Sequence, residues 1–196
     1  MNLLLRASEI VERPVVTLGG DDVAQVRDVV FSGSDGDVVG FTLAKRGMFG
    51  GRLREVLPWR EVVALGPDAV IIADQAALSF EPLAAGHATS EHGDGDVLGD
   101  KVITDGGVEL GRVVDAVVEV SAGSARVVGY EMEPAPTFEP IHGRQGRRLF
   151  VPRPETLAAS NQVVVVPAAA VDYVADDLAG FGEAIDGFRS RLRGEM

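Results

Sequence analysis

Short valine-rich runs alternate with glycine and aspartate turns along most of the chain. Runs such as "RPVVTL" and "VRDVVF" are followed by turn signals such as "GSDG". Short runs of β-branched residues that end at Gly, Asp or Ser are typical of strands. Apolar residues with a helical period appear only near the C-terminus. The pattern therefore predicts an all-β protein with a helix at its end.

The strand pattern occurs twice. Aligning Asp28 with Asp115 brings "VGF" opposite "VGY" and "LPW" opposite "VPR". In both copies the aligned strands are largely apolar on both faces, which suits a small closed barrel whose outside is partly covered by another element. We therefore predict a first barrel over residues 1–80, a linker over 81–95 and a second, divergent barrel over 96–170.

The C-terminal segment has a different period. Its apolar residues are spaced alternately by three and four, which places them on one stripe of a helix predicted over residues 171–193. They are Val171, Val174, Leu178, Phe181, Ile185, Phe188 and Leu192. Glycines weaken a helix, so a break is expected near Gly180. The stripe either packs on the chain's own barrels or forms the seam of a homodimer.

Composition limits the classes of function. Hydrophobic residues make up 46% and charged residues 24% of the chain, which indicates a globular protein rather than a disordered one. The net charge of -12 disfavours direct binding to nucleic acid and favours a basic protein partner. There is no cysteine, and no transmembrane segment or signal peptide is recognised. We expect a cytoplasmic protein.

One family resembles the order of these segments. The stretch "LLLRASEIVERPVVTLGGDDVAQVRDVVFSGSDGDVVGF", followed by "EVLPWREVVALGPDAVIIA", is similar to a PRC-barrel, the small six-stranded barrel named after the cytoplasmic part of the photosynthetic reaction-centre H subunit. The second half resembles a more divergent copy. The resemblance implies a non-enzymatic module of the stand-alone bacterial type. In a ribosome maturation factor, such a barrel binds a ribosomal protein.

No motif for catalysis stands up to inspection. "GGDDV" lacks the phenylalanine that follows it in diguanylate cyclases, and it fits a turn between strands. The glycine-rich basic segment "GRQGRR" leads into a strand, whereas phosphate cradles lead into a helix N-terminus. The serines stand in no nucleophile elbow. We therefore expect no enzymatic activity and no cofactor.

The junction between the predicted barrels contains a possible metal site. "GHATSEHGDGD", residues 86–96, holds two of the chain's three histidines. The spacing of His87, His92, Asp94 and Asp96 permits a metal, but the flexible Gly and Ser around them provide no rigid scaffold. A linker is the preferred interpretation, and no metal is predicted.

The loop after the third strand of each predicted copy is basic and carries a large apolar residue. It reads "KRGMFGGRLR" in the first copy and "TFEPIHGRQGRRLF" in the second. Such a patch in an acidic protein suggests binding to an anionic partner, with the aromatic residues either as anchors or as caps of the barrel. The candidate partner-binding residues are Lys45, Arg46, Phe49, Arg52, Arg54, Phe138, Arg144, Arg147 and Arg148.

The sequence therefore predicts an all-β protein made of two small PRC-type β-barrels in tandem with an amphipathic C-terminal helix. The preferred function is a non-enzymatic protein-interaction or assembly module. Two alternatives stay open. One is a ribosome-associated adapter that binds a basic ribosomal protein, and the other is a regulator that binds a metal or a small ligand at the junction.

Overall fold

A computed structural model shows the chain as mainly β-structure that divides into two compact units. It describes residues 3–32, 36–47, 51–83, 86–88, 97–138, 148–153, 159–160 and 163–194. Within these residues, no helix combines the length and the apolar character needed to cross a membrane.

The first unit consists of Met1–Asp96 and the hairpin tip Val120–Arg126. Its elements are β1 (Leu3–Arg6), α1 (Ala7–Ile10), β2 (Pro14–Thr17), β3 (Asp22–Ser32), β4 (Val38–Ala44), β5 (Arg52–Pro58), β6 (Val62–Leu65), β7 (Val70–Ile72) and β8 (Gly86–Ala88). Hydrogen-bonded neighbours follow the order β5-β4-β3-β2-β7-β6. Strands β2 and β7 are parallel, and the other neighbours are antiparallel.

The prediction of a closed barrel is wrong for the first unit, because the two strands at the ends of its sheet do not pair with each other. Among the described strands, β5 and β6 are not paired with each other, so the sheet is open. The outer edge of β5 is used instead by Ser79, which exchanges two backbone hydrogen bonds with Val56, at 2.8 and 2.9 Å. The chain passes from β5 to β6 through the 3-10 turn Trp59–Glu61. The chain therefore connects β5 to β6 directly through this turn, and no backbone hydrogen bonds between the two described strands close a barrel.

Part of the predicted linker is a strand. Strand β8 lies within residues 81–95 and pairs antiparallel with Val30, Phe31 and Ser32 of β3. This edge of β3 can accept another strand because β2 pairs only with the other end of β3, from Asp22 to Gln25.

The second unit consists of Val97–Glu119 and Val127–Met196. Its strands are β9 (Lys101–Thr104), β10 (Glu109–Ser121), β11 (Ser124–Pro134), β12 (Leu149–Pro152), β13 (Ala159–Ser160) and β14 (Val163–Val166). The order is β12-β11-β10-β9-β14-β13, again with one parallel pair, β9 and β14. This is the strand order of the first unit, because β9 corresponds to β2 and β14 to β7.

One turn shows how closely the two units correspond. In the first unit, Thr17 donates its backbone N–H to the carbonyl of Asp21 at 2.9 Å, and its hydroxyl accepts from the Asp21 N–H at 3.1 Å. In the second, Thr104 makes the same two bonds to Val108, at 2.9 and 3.0 Å. Both turns use a glycine at positive φ, which explains the repeated Gly-Gly in the sequence.

Both faces of the central strands are covered. In the first unit, the interior contains Val26, Val29, Phe41, Leu43 and Leu57, all fully buried. On the other face, Leu83 packs against Gly40. A Cβ atom added to Gly40 would lie only 2.7 Å from the Cδ2 atom of Leu83. In the second unit, a Cβ at Gly129 would lie still closer to Phe181, 2.3 Å from its Cζ atom. These contacts explain the apolar residues on both faces, because a following segment covers the outside.

The C-terminal helix, α2, is shorter than predicted and spans Leu178–Gly194. Val171 and Val174 precede it, since the chain forms the 3-10 turn Ala168–Tyr173 and is then held extended where Ala175 pairs with Phe150. The predicted break near Gly180 is not found. Gly180 lies in the first turn, where its N–H donates to the capping Asp177 side chain at 2.7 Å.

The apolar stripe of α2 packs inside the second unit. Phe181, Ile185 and Phe188 are at most 3% exposed. The rings of Phe181 and Phe150 are 5.6 Å apart, and Phe188 meets Tyr173 edge to face at the same distance. The stripe is therefore used within the chain, and the structure gives no support to its use as a homodimer seam.

Candidate interaction surface of the first unit

The structure brings four of the predicted cationic residues to one end of the β4–β5 hairpin. Lys45 and Arg46 follow β4, and Arg52 and Arg54 belong to β5. Ala44 is the register partner of Arg52, and the Lys45 N–H donates to the Gly51 carbonyl at 3.0 Å. All four cationic side chains are exposed. We call this set the basic hairpin end.

At the basic hairpin end, Arg46 forms an ion pair with Asp22. The Arg46 Nε atom lies 2.9 Å from the Asp22 carboxylate, and both side chains are more than one-third exposed. Such a pair stabilises a fold by about 0–1 kcal/mol, because water screens it. Asp22 therefore offsets the charge of Arg46 and does little to hold the hairpin.

The predicted residues of the second unit have different environments. Phe138 is only 8% exposed, so its ring packs within the protein and is not presented as an anchor. Arg148 is exposed and lies 3.8 Å from the carboxylate of the buried Glu131. Phe49, Arg144 and Arg147 lie outside the described residues.

Arg27 is a cation near this region that the sequence pattern did not reveal. It projects from an irregularity in β3, between the pairs Val26–Leu43 and Asp28–Thr42. Its Nε atom lies 3.6 Å from the buried carboxylate of Asp28, which also accepts a hydrogen bond from the Thr42 hydroxyl at 2.8 Å. A β-bulge re-aims a side chain, and strict alternation cannot predict it.

Phe80 is the second residue that the sequence left unassigned. It is 75% exposed, although it follows Ser79, which is held on the edge of β5. In the sequence, Phe80 belongs to the apolar stretch "AALSFEPLAA", and this pattern fits a buried position for Phe80 as well as an exposed one. The adjacent Glu81 and Pro82 are the only signals that could have suggested an exposed turn.

The junction residues show no metal site within the described part of the chain. His87 belongs to β8, and His92, Asp94 and Asp96 lie outside the described residues. Among described residues there is no group of three or more His, Cys, Asp or Glu side chains that could hold a metal ion.

Comparison with known protein families identifies the first unit. Residues 4–78 match the family model of the PRC-barrel domain. This segment is a PRC-barrel domain. The resemblance seen in the sequence is confirmed there, and the match includes no residue of β9 to β14. A comparison with curated proteins found no match. The basic hairpin end lies inside the PRC-barrel domain, and Phe80 lies just after its last matched residue.

Proposed function

We propose that the chain is a protein-interaction module that binds through its PRC-barrel domain and has no catalytic activity. PRC-barrel domains are commonly protein-interaction modules. The observation that carries the proposal is the basic hairpin end, where Lys45, Arg46, Arg52 and Arg54 are exposed together in a chain of net charge -12.

The charge distribution supports a role in choosing partners. The overall negative charge repels acidic molecules at long range, whereas a cluster of exposed cations attracts an acidic group within about one Debye length, roughly 8 Å at physiological salt. Such a surface selects orientation and partner more than it adds affinity. An acidic partner would thus be accepted at this end of the domain and repelled elsewhere.

We also infer that the second unit is a divergent copy of the same fold. The two units share their strand order and the position of the parallel pair. They also share the hydrogen-bonded turn at Thr17 and Thr104. The second unit would then act as a companion whose equivalent outer face is covered by α2.

A crosslinking pull-down with the full-length chain as bait tests the proposal. We expect the wild-type chain to retain a defined set of proteins from its native cells. Arg52→Glu with Arg54→Glu should lose at least one of them. The matched control is Arg60→Glu with Arg112→Glu, which makes the same change in charge at exposed positions outside the basic hairpin end.

Each outcome of this experiment has a separate meaning. If the wild-type chain retains no protein above background, the proposed function is wrong. If both double variants retain the full set, proteins bind elsewhere and the basic hairpin end is not the surface. Loss in both variants to the same extent would show a response to net charge only.

A further inference from the structure

The hairpin of β10 and β11 ends in a tip that belongs to the first unit. Val120–Arg126, which we call the hairpin tip, pack with this unit, whereas the other residues of the two strands belong to the second. The hairpin tip turns at Ala122 and Gly123, and Gly123 has a positive φ of 81°. Ala122, Gly123 and Ser124 are all exposed, so polar contacts decide how firmly the turn is held.

Two contacts hold the hairpin tip on the PRC-barrel domain. The indole Nε1–H of Trp59 donates to the Gly123 carbonyl at 3.3 Å. The Arg126 guanidinium lies 3.0 Å from the Asp37 carboxylate, and these two residues also form an isolated antiparallel bridge. Trp59 and Asp37 both lie inside the family match over residues 4–78. The hairpin tip therefore supplies one carbonyl and one cation to an aromatic donor and a carboxylate of the domain.

Both contacts are weak. The hydrogen bond from Trp59 is exposed and is longer than the roughly 2.9–3.0 Å typical of N–H···O bonds. Arg126 and Asp37 are 48% and 45% exposed, so water screens their attraction. In contrast, Val117 and Val118 of β10 are fully buried. The hairpin tip can therefore separate from the domain while the strand that carries it stays folded.

Trp59 has the properties of a binding residue. It is half-buried, and its ring meets the fully buried Phe41 edge to face, with the centroids 6.2 Å apart. The ring is thus supported on one side, while its N–H is directed at the hairpin tip. Tryptophan is common among the residues that dominate binding at interfaces, because it combines a large rigid ring with a specific donor.

We propose that Trp59 and Asp37 form a docking site for a tight turn that carries a cation, and that the chain's own hairpin tip occupies this site. A partner segment with the same two features, a turn carbonyl and an arginine or lysine, displaces the hairpin tip. The chain's net charge of -12 attracts such a cationic segment. Because this site shares no residue with the basic hairpin end, it is a second binding surface of the domain, beyond the one proposed above.

A synthetic hairpin tests the proposal with a probe of known chemistry. The probe copies Val120–Arg126 and is closed by a disulfide between two added terminal cysteines. Its affinity for the whole chain, which has no cysteine, is measured by the anisotropy of a fluorescent label. Emission from Trp59, the chain's only tryptophan, should change on binding. Binding should weaken as the salt concentration rises, because exposed charges are screened.

Arg126→Ala should strengthen binding of the probe. This change removes the cation of the hairpin tip, so the hairpin tip competes less well for the site. The apparent affinity should rise about two- to fivefold, the range expected for the loss of one exposed ion pair. Adding Asp37→Asn to Arg126→Ala should cancel the gain, because the probe then finds no carboxylate for its arginine.

Matched controls come from a similar ion pair in the second unit. Arg191 and Asp172 are 2.9 Å apart, with side chains that are 41% and 52% exposed. Arg191→Ala changes the net charge as Arg126→Ala does, but should keep the affinity within about 1.5-fold of the wild type. Adding Asp172→Asn to Arg126→Ala should leave the gain in affinity unchanged.

Four results would overturn the proposal. They are no measurable binding to the wild type or to Arg126→Ala, equal affinity of these two proteins, binding without a change in Trp59 emission, and an equal gain in Arg191→Ala. The last would show a response to net charge only. None of these results contradicts the proposed function, because the pull-down tests Arg52 and Arg54 instead.

Discussion

Glu12 and Gly99 occupy the same position in the two units. The N–H of Glu12 donates to the Val26 carbonyl at 2.8 Å, and the N–H of Gly99 donates to the Val113 carbonyl at 2.8 Å. Both residues have positive φ, 69° for Glu12 and 86° for Gly99. Among the described non-glycine residues, Glu12 is the only one in this conformation. Both units thus have the same backbone conformation at this position. Only the second unit has a glycine there, and glycine adopts a positive φ without strain.

Replacing Glu12 by glycine should therefore stabilise the protein. The left-handed conformation costs a residue with a Cβ about 1–2 kcal/mol, and glycine gives back part of this through its greater freedom in the unfolded chain. We expect a net gain of about 0.5–1 kcal/mol in the free energy of unfolding, measured by urea denaturation. Glu12→Ala is the control, because it removes the carboxylate and keeps the Cβ. Equal stabilisation by both variants would show that charge, and not backbone strain, is responsible.

Gly129 should tolerate no side chain. A Cβ at this position would lie 2.3 Å from Phe181 Cζ and 2.5 Å from the Val151 carbonyl oxygen. Gly129→Ala must therefore displace the ring or the strand, and overpacking of this kind costs about 1–3 kcal/mol. Gly106→Ala is the control in the same unit, because its nearest atom would be 3.6 Å away. Similar melting temperatures for the two variants would contradict the close packing of α2 on β11.

The repeated motifs made most of the fold predictable. Asp28 and Asp115 fix the alignment of two strand patterns, and the turns at Thr17 and Thr104 follow from Gly-Gly after a β-branched run. These signals are local, since a turn depends on a few neighbouring residues. The start of α2 was less predictable. Val171 and Val174 continue its apolar period, but the pairing of Ala175 with the distant Phe150 holds the chain extended there.

The candidate surface was predictable only in part. Exposure of Lys45, Arg46, Arg52 and Arg54 follows from their charge, and their common position follows from the hairpin. The exposure of Phe80 does not follow from its sequence, because hydrophobic residues favour burial in the absence of other information. It depends on the contact between Ser79 and Val56, residues that are far apart along the chain. Long-range pairing of this kind leaves no local signal.

The ion pair between Arg189 and Glu119 should stabilise the docking of α2. Two hydrogen bonds join the side chains, at 2.9 and 3.2 Å, and the exposed fractions are 26% for Arg189 and 14% for Glu119. Glu119→Gln removes the charge from a two-point contact that is partly shielded from water, and should lower the free energy of unfolding by about 1–2 kcal/mol.

The pair between Arg191 and Asp172 is the matched control for this experiment. Its two atoms are 2.9 Å apart, but the side chains are 41% and 52% exposed. Asp172→Asn should therefore change the free energy of unfolding by less than about 0.5 kcal/mol. A larger effect for Asp172→Asn than for Glu119→Gln would show that burial does not set the strength of these pairs.

Stability at high pH should depend on Tyr130. This side chain is 3% exposed. Burial raises the pKa of the Tyr130 phenol above its usual value of 10.0, Arg153 partly opposes the shift, and Asp100 adds to it. The unfolded chain then loses this proton at lower pH than the folded protein does.

The stability contributed by the neutral phenol is complete below pH 10.0 and is lost as the pH rises through the folded pKa. In Tyr130→Phe this loss should be absent, so in urea denaturation the stability of the wild type should fall more steeply than that of the variant above pH 10.0. Parallel curves for the two proteins would show that Tyr130 ionises equally easily in both states.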